Sequence, residues 1–419
     1  VRSLAEWLAF IERQHPQAIA LGLERVREVF DRMKVRLEMP LITVGGTNGK
    51  GSTCAMLESI LRAAGYRTGL YTSPHLLRYN ERVRIAGAEA GDEALADSFA
   101  AVEAARGNVP LTYFEYGTLA AFSLFQSVEV AILEVGLGGR LDAVNVLDAD
   151  CAVLTSVGID HVDYLGPDRE SIGREKAGIF RAGRPAVIAE PDPPASVLAA
   201  EGEKLLLGKD FGYKAQGQQW AYWGPGGRRG GLAHPALRGE IQLRNAAAAL
   251  CALDTLKQSL PFAMQDVRRG LAEVTLPGRF QALPGRPQIV LDVAHNPQAA
   301  ATLAGNLAAS GYAERTIAVC GMLRDKDISG VLRALAPRMT RWHVCSLPGP
   351  RAASAAQLAA ALAEAGIDES CIEMHASPAQ AVSAAKSEAR ENDKIVVFGS
   401  FLTVGEAMAW LNNNKTSKR

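Results

Sequence analysis

The chain has 419 residues, 48% hydrophobic and 21% charged, with 45 Lys and Arg against 45 Asp and Glu. That length exceeds what one growing core serves, so two domains are expected, and the composition excludes a disordered chain. A net charge of +0 supplies no field for nucleic acid or an anionic membrane, so any anion site must be local.

Leu4, Trp7, Leu8 and Ile11 after Ser3, and then Leu23, Val26, Phe30, Met33 and Leu37, have helical spacing, so two helices precede the first strand. Apolar runs at 41–44, 69–71, 130–135, 151–157 and 186–188 alternate with amphipathic stretches, the pattern of a parallel sheet covered by helices. Residues 218–243, rich in Gly, Trp and Arg, read as a strand or hairpin insertion before an Ala-rich helix over 245–257. After Pro277-Gly278 a second series offers strands at 289–293, 316–320, 342–347 and 394–398, four βα units of a smaller Rossmann-like domain. The expected fold is therefore α/β, with a P-loop parallel-sheet domain over 1–278 and a second α/β domain over 279–419.

The six cysteines form no C-x-x-C pair and read as reduced thiols of a cytoplasmic protein. No apolar run reaches the roughly 20 residues needed to cross a bilayer. Residues 1–14 read as an amphipathic helix rather than a signal peptide, and a chain opening on Val1 is expected to lack a few native residues. Without a heptad pattern the default is a monomer.

Leu41 to Thr53 (LITVGGTNGKGST) runs from strand through glycine-rich turn to helix, the architecture in which backbone N–H groups, a helix N-terminus and a lysine, Lys50, receive phosphate. Gly51 stands between Lys50 and Ser52, so the usual G-x-x-x-x-G-K-[ST] spacing is not met. Ser52 or Thr53 is placed to touch a magnesium ion.

GTNGKGS at 46–52, followed by YTSPHL at 71–76, closely resembles the folylpolyglutamate synthase branch of the Mur-ligase-like ATP-dependent amide ligases. The resemblance continues through LTYFE (111–115), ILEVGLGGRLDA (132–143), IDH (159–161), SIGREKAGI (171–179), LPGRFQ (276–281), DVAHNP (292–297) and FGSFLTVG (398–405). It implies that Thr47, Asn48, Gly49, Lys50, Gly51 and Ser52 bind ATP, with Asn245, Arg279 and Asp292 joining from around the domain junction. It implies Mg2+ held by Ser73, Glu134 and His161, oxygen donors suiting a hard cation better than the imidazole does. Lys176, otherwise a solvated helix lysine, resembles a residue that CO2 converts to an anionic carbamate (N6-carboxylysine). His295 and Ser400 resemble positions near the glutamate, His295 in a catalytic role. Ala20, Leu21, Gly22 and Leu23, then Thr112, Tyr113, Phe114 and Glu115, and Leu141, Asp142 and Ala143 resemble the pteroate-binding pieces. Related bifunctional enzymes carry Asp where this chain has Ala20, which puts an acidic partner for the pterin in question.

The expected reaction joins L-glutamate to dihydropteroate and to reduced folates, with ATP as co-substrate, through an acyl phosphate protected from water by domain closure. Two rivals are a Mur-type ligase acting on a UDP-sugar peptide and a nucleotide-binding sensor without ligation. The pteroate-like segments count against the first, and Glu134 and Lys176 against the second.

Overall fold

The computed structural model describes residues 2–416, divided into two compact units. Unit 1 comprises 1–236 and 242–275, and unit 2 comprises 237–241 and 276–419. The division falls between Thr275 and Leu276 and hands the short piece Leu237–Ile241 to unit 2, a contribution that a single cut near Gly278 leaves out.

Unit 1 is built on eight strands: β1 Leu41–Gly45, β2 Thr68–Tyr71, β3 Val83–Ile85, β4 Ala88–Glu89, β5 Val130–Glu134, β6 Cys151–Leu154, β7 Pro185–Ile188 and β8 Glu203–Leu206. Their order is β4-β3-β2-β5-β1-β6-β7-β8. The six from β2 to β8 run parallel, while β3 and β4 turn back as an antiparallel edge. Every residue of β1, β5 and β6 is buried, which is why these strands read as unbroken apolar runs rather than as alternation.

Local signals set the helix limits. Ser3 and Glu6 cap the helix Leu4–Ile11 reciprocally, and Lys34 in the left-handed conformation stops the next helix at Met33, so the apolar spacing that continues to Leu37 outruns the helix. The insertion is a three-stranded antiparallel sheet, β9 Gly212–Gln216, β10 Gln219–Gly224 and β11 Gly227–Ala233. It is fastened to the Ala-rich helix Ile241–Thr255 through Asp254, which accepts from the Tyr222 hydroxyl at 2.7 Å and pairs with Arg229 at 2.5 Å.

Unit 2 has six strands, β12 Gln281–Leu283, β13 Gln288–Leu291, β14 Thr316–Cys320, β15 Arg341–Cys345, β16 Ile372–His375 and β17 Lys394–Phe398, in the order β12-β13-β17-β14-β15-β16. All pairs are parallel except β12 with β13. The two edge strands, β12 and β16, carry no buried apolar run, and the apolar pattern that marks the other four does not mark them. All six cysteines are free thiols, five buried and Cys371 half-buried. Among the described residues no helix is long and apolar enough to cross a membrane.

Candidate active site

The chain leaves β1 for β2 on one side and later places β6 on the other, so the C-terminal end of β1 is a topological switch point, where open α/β sheets receive ligands. Four neighbouring strands, β2, β5, β1 and β6, end there together. Ser73 follows β2, Glu134 ends β5 beside Val44 of β1, the glycine-rich turn follows β1, and Thr155 and Ser156 follow β6.

The turn is held by its neighbour strand. Asn48 N–H donates to Ser156 Oγ at 2.9 Å, Thr155 Oγ1 donates to the Asn48 carbonyl at 2.7 Å, and the Thr47 hydroxyl bridges to Gly158. Lys50 Nζ folds back onto the Gly46 carbonyl at 2.9 Å, within a glycine-rich turn of the kind that presents its N–H groups to an anion. Gly49, at φ +89°, opens the helix Lys50–Ala63, and a Cβ there would lie 2.7 Å from Asn245 Oδ1. Asn245 is itself fixed by Gln242, which also donates to Ser52 Oγ. Thr53 spends its hydroxyl on the Gly49 carbonyl within its own helix, so of the two hydroxyls considered for magnesium Ser52 is the better placed.

Glu134 is 5% exposed, and Ser73 N–H donates to its Oε2 at 3.1 Å. A carboxylate so buried needs hydrogen bonds or a cation, and carboxylate and hydroxyl oxygens are the donor types that suit a hard divalent ion. His161 sits in the left-handed region at φ 52° after Asp160, whose Oδ1 accepts its backbone N–H and whose Oδ2 lies 3.9 Å from the ring Nε2. Lys176 is not the solvated helix lysine its neighbours suggest. It is 5% exposed, and burial together with the Lys50 charge lowers its pKa to about 7 against the pull of Asp160 and Asp142.

The three remaining segments of unit 1 meet one another. Gly22 N–H reaches the Leu141 carbonyl at 3.4 Å, and Arg25 joins the Ala20 carbonyl to the Glu115 carboxylate at 2.8 and 2.7 Å. Thr112 and Glu115 form the capping box of the helix Tyr113–Leu124, so both side chains have a structural task. Phe114 lies against Tyr71 and so close to Gly136 that a Cβ there would meet its ring at 2.6 Å. Asp142 accepts N–H bonds from Gly136, Leu137 and Val144, which caps Ala143–Val146, while burial outweighs these bonds and lifts its pKa to about 6. Leu21, Leu23 and Tyr113 are half-buried beside these contacts.

In unit 2, Asp292 follows β13 and accepts from Phe280 N–H at 2.9 Å and Ala294 N–H at 2.8 Å, so its oxygens brace the chain on either side of Arg279 and His295. Burial pushes its pKa up. The Arg279 guanidinium lies 5.0 Å from the Phe401 ring centre. His295 pairs Nδ1 with the Val293 carbonyl at 2.9 Å, which fixes the Nδ1–H tautomer and puts the neutral ring's lone pair on Nε2. Ser400, 6% exposed, accepts from Leu402 N–H and starts the helix after β17.

Two family models match, the Mur ligase middle domain over residues 44–253 and the Mur ligase glutamate ligase domain over 278–401. The chain is 47% identical to the dihydrofolate synthase/folylpolyglutamate synthase of Escherichia coli (strain K12), over 97% of its own length and 94% of that protein's. The chain belongs to the dihydrofolate synthase/folylpolyglutamate synthase family. Its Haemophilus influenzae relative is 42% identical over 97% of each chain. Among solved structures, E. coli FolC in complex with DHPP and ADP superposes with a TM-score of 0.93 at 45% identity, covering 99% of both chains. A bifunctional folylpolyglutamate synthase/dihydrofolate synthase with Mn, AMPPNP and L-glutamate bound gives 0.91 at 44% identity, covering 98% of both. The family resemblance read from GTNGKGS and the strings after it therefore extends over nearly the whole chain.

Thr155, Ser156 and Gln242 do not stand out as site residues in the sequence, and Arg25 does so only as a member of the pteroate-like string at 21–26. The first two could have been found as polar residues closing an apolar strand run. Gln242 lies three residues before Asn245, one helical turn away. Nothing in the sequence pairs Arg25 with a carboxylate 90 residues away.

Proposed function

We propose that this chain is an ATP-dependent ligase that adds L-glutamate to dihydropteroate and to reduced folates, releasing ADP and phosphate. The observation that carries the reading is Lys176. A protein that only senses nucleotide has no use for a buried amine held at about 7 beside Lys50, Asp142 and Asp160. A ligase of this family does. About half of such an amine is neutral at pH 7, and neutral amine attacks CO2, forming an N–C bond and losing a proton, to give a carbamate that reverses the charge at this position.

The substrate carboxylate attacks the γ-phosphorus of ATP, ADP leaves, and an acyl phosphate forms. Lys50 and the N–H groups of Thr47 to Ser52 receive the phosphates and stabilise charge on the transferring group. Ser73, Glu134 and His161 would hold Mg2+, which supplies Lewis-acid neutralisation of the phosphate oxygens. The neutral amine of L-glutamate then attacks the acyl carbon, and the tetrahedral intermediate expels phosphate. His295 Nε2, its tautomer fixed by Val293, is suited to accept a proton from the glutamate ammonium, and Ser400 and Arg279 stand in the same unit to bind polar groups of glutamate and ATP. The surface formed where Ala20–Leu23, Thr112–Glu115 and Leu141–Ala143 meet is assigned to the pterin and aminobenzoyl groups. The proposed setting is the cytoplasm, supported by six free thiols.

The test is ADP release measured with folate alone, glutamate alone, both, and dihydropteroate with glutamate. Release dependent on both acid and amine supports the ligase. Release independent of either, or binding of ATP without release, overturns it.

A further inference from the structure

Outside the residues so far discussed, unit 2 gathers two histidines and two glutamates around its last parallel strand pair. His343 of β15 is in register with Glu373 of β16, and His375 is two residues further along β16, so all three side chains rise on one face of the sheet. His343 Nδ1 and His375 Nε2 are 2.9 Å apart, and the Glu373 oxygens lie 3.9 Å from the first and 3.7 Å from the second. These distances bracket the edge of roughly 3.3 Å expected of a tetrahedron with metal–nitrogen bonds of about 2.05 Å. Among the described residues this is a group of nitrogen and oxygen donors whose ligand atoms all lie within 4.8 Å of one another.

The surroundings favour coordination over a simple histidine pair. His343 is 0% exposed, and its other nitrogen, Nε2, faces Glu388 Oε1 at 3.4 Å from the helix Pro378–Glu388. Neither of those buried atoms has a hydrogen-bond partner of ordinary geometry. The Glu388 carboxylate 3.4 Å from Nε2 favours the proton on that nitrogen, and the Nδ1 lone pair then faces His375, as in the carboxylate–histidine–metal arrangement in which an outer carboxylate orients a ligand. Arg341, two residues before His343, pairs with Glu388 at 3.1 Å and Glu373 at 3.4 Å. It steadies the outer carboxylate and leaves Glu373 its second oxygen, the one directed at His375. Glu373 is the exposed member, so a cation has a route in from solvent.

We propose that His343, Glu373 and His375 bind one borderline divalent cation of the zinc type, with Glu388 orienting His343. Two imidazoles and a carboxylate select such an ion over magnesium, which prefers oxygen donors and waters. Bound there, the ion would pin the edge strand β16 to β15. The site is three strands from β13 in the sheet order, on the order of 14 Å at the usual strand spacing, so it serves stability and not the ligation.

The full chain, stripped with a chelator, is titrated with Zn2+ by calorimetry in excess Mg2+, and separately with Co2+ by visible absorption. One tight zinc equivalent and the bands of tetrahedral, imidazole-ligated Co2+ are expected. In His375→Gln the zinc affinity should fall by about a hundredfold and the cobalt bands should vanish, and in Glu373→Gln the loss should be about tenfold. Both variants should retain ADP release, which shows that they fold, and exposed Glu373 keeps the test decisive if His375→Gln does not. A wild-type chain that takes up no zinc equivalent in excess Mg2+, or foldable variants that bind zinc as tightly as wild type, would overturn the proposal.

Discussion

Replacing Lys176 with methionine should stabilise the protein while abolishing its turnover. Methionine keeps most of the length of the stem and removes the amine that burial disfavours in charged form. Lowering the pKa from 10.5 to about 7 costs the folded state about 5 kcal/mol at 1.36 kcal/mol per pH unit. Between these two values the unfolded chain carries a proton that the folded chain has released, so wild-type stability rises with pH in that window. Below about 7 both states are protonated and the full cost is present, and above 10.5 neither is and the cost disappears. The advantage of Lys176→Met should therefore be greatest, several kcal/mol, at and below neutral pH and shrink by about 1.4 kcal/mol per pH unit above it. Urea unfolding of both proteins in CO2-depleted buffer, from pH 6.5 to 9.5, measures this difference directly. A difference that stays flat across the range would mean that Lys176 remains an ordinary ammonium, and the argument for its carbamate would fall with it.

Gly49→Ala should weaken ATP binding and lower stability by about 1–2 kcal/mol, because it puts a side chain into a left-handed position and within 2.7 Å of Asn245 Oδ1; nucleotide titration and thermal melting check both effects. Asp254→Ala should cost about 3–5 kcal/mol by leaving the half-buried Arg229 without its partner and the buried Tyr222 hydroxyl without its acceptor, and a urea curve unchanged from wild type would count against that network. Ala20→Asp should lower the dihydropteroate KM by about tenfold or more, the value of a charged hydrogen bond to the pterin. Equal KM values in the two proteins would place position 20 away from the pterin.

What the sequence disclosed follows from how local each signal is. Parallel strands buried on both faces, such as β1 with Leu41 to Gly45, announce themselves as apolar runs. Ser3 with Glu6 marks its helix within four residues. The half-exposed strands β8 and β16, reading EKLL and IEMH, have no such run, because an edge strand need not be apolar. Lys176, flanked by Arg174 and Glu175, looks solvated in sequence, and only the packing of its helix buries it. The glycines and Lys50 of the phosphate loop were legible, whereas the bonds from Thr155 and Ser156 that hold the loop depend on strand order.

The distribution of thiols makes the protein a ready substrate for site-selective chemistry. Cys54, Cys151, Cys251, Cys320 and Cys345 are buried with their pKa values raised by desolvation, so they are shielded from maleimides in the folded state. Cys371 is the half-buried exception and stands immediately before β16. A fluorophore attached there, with no engineered cysteine, would sit at the start of the strand carrying Glu373 and His375 and would report the ordering of that strand in real time.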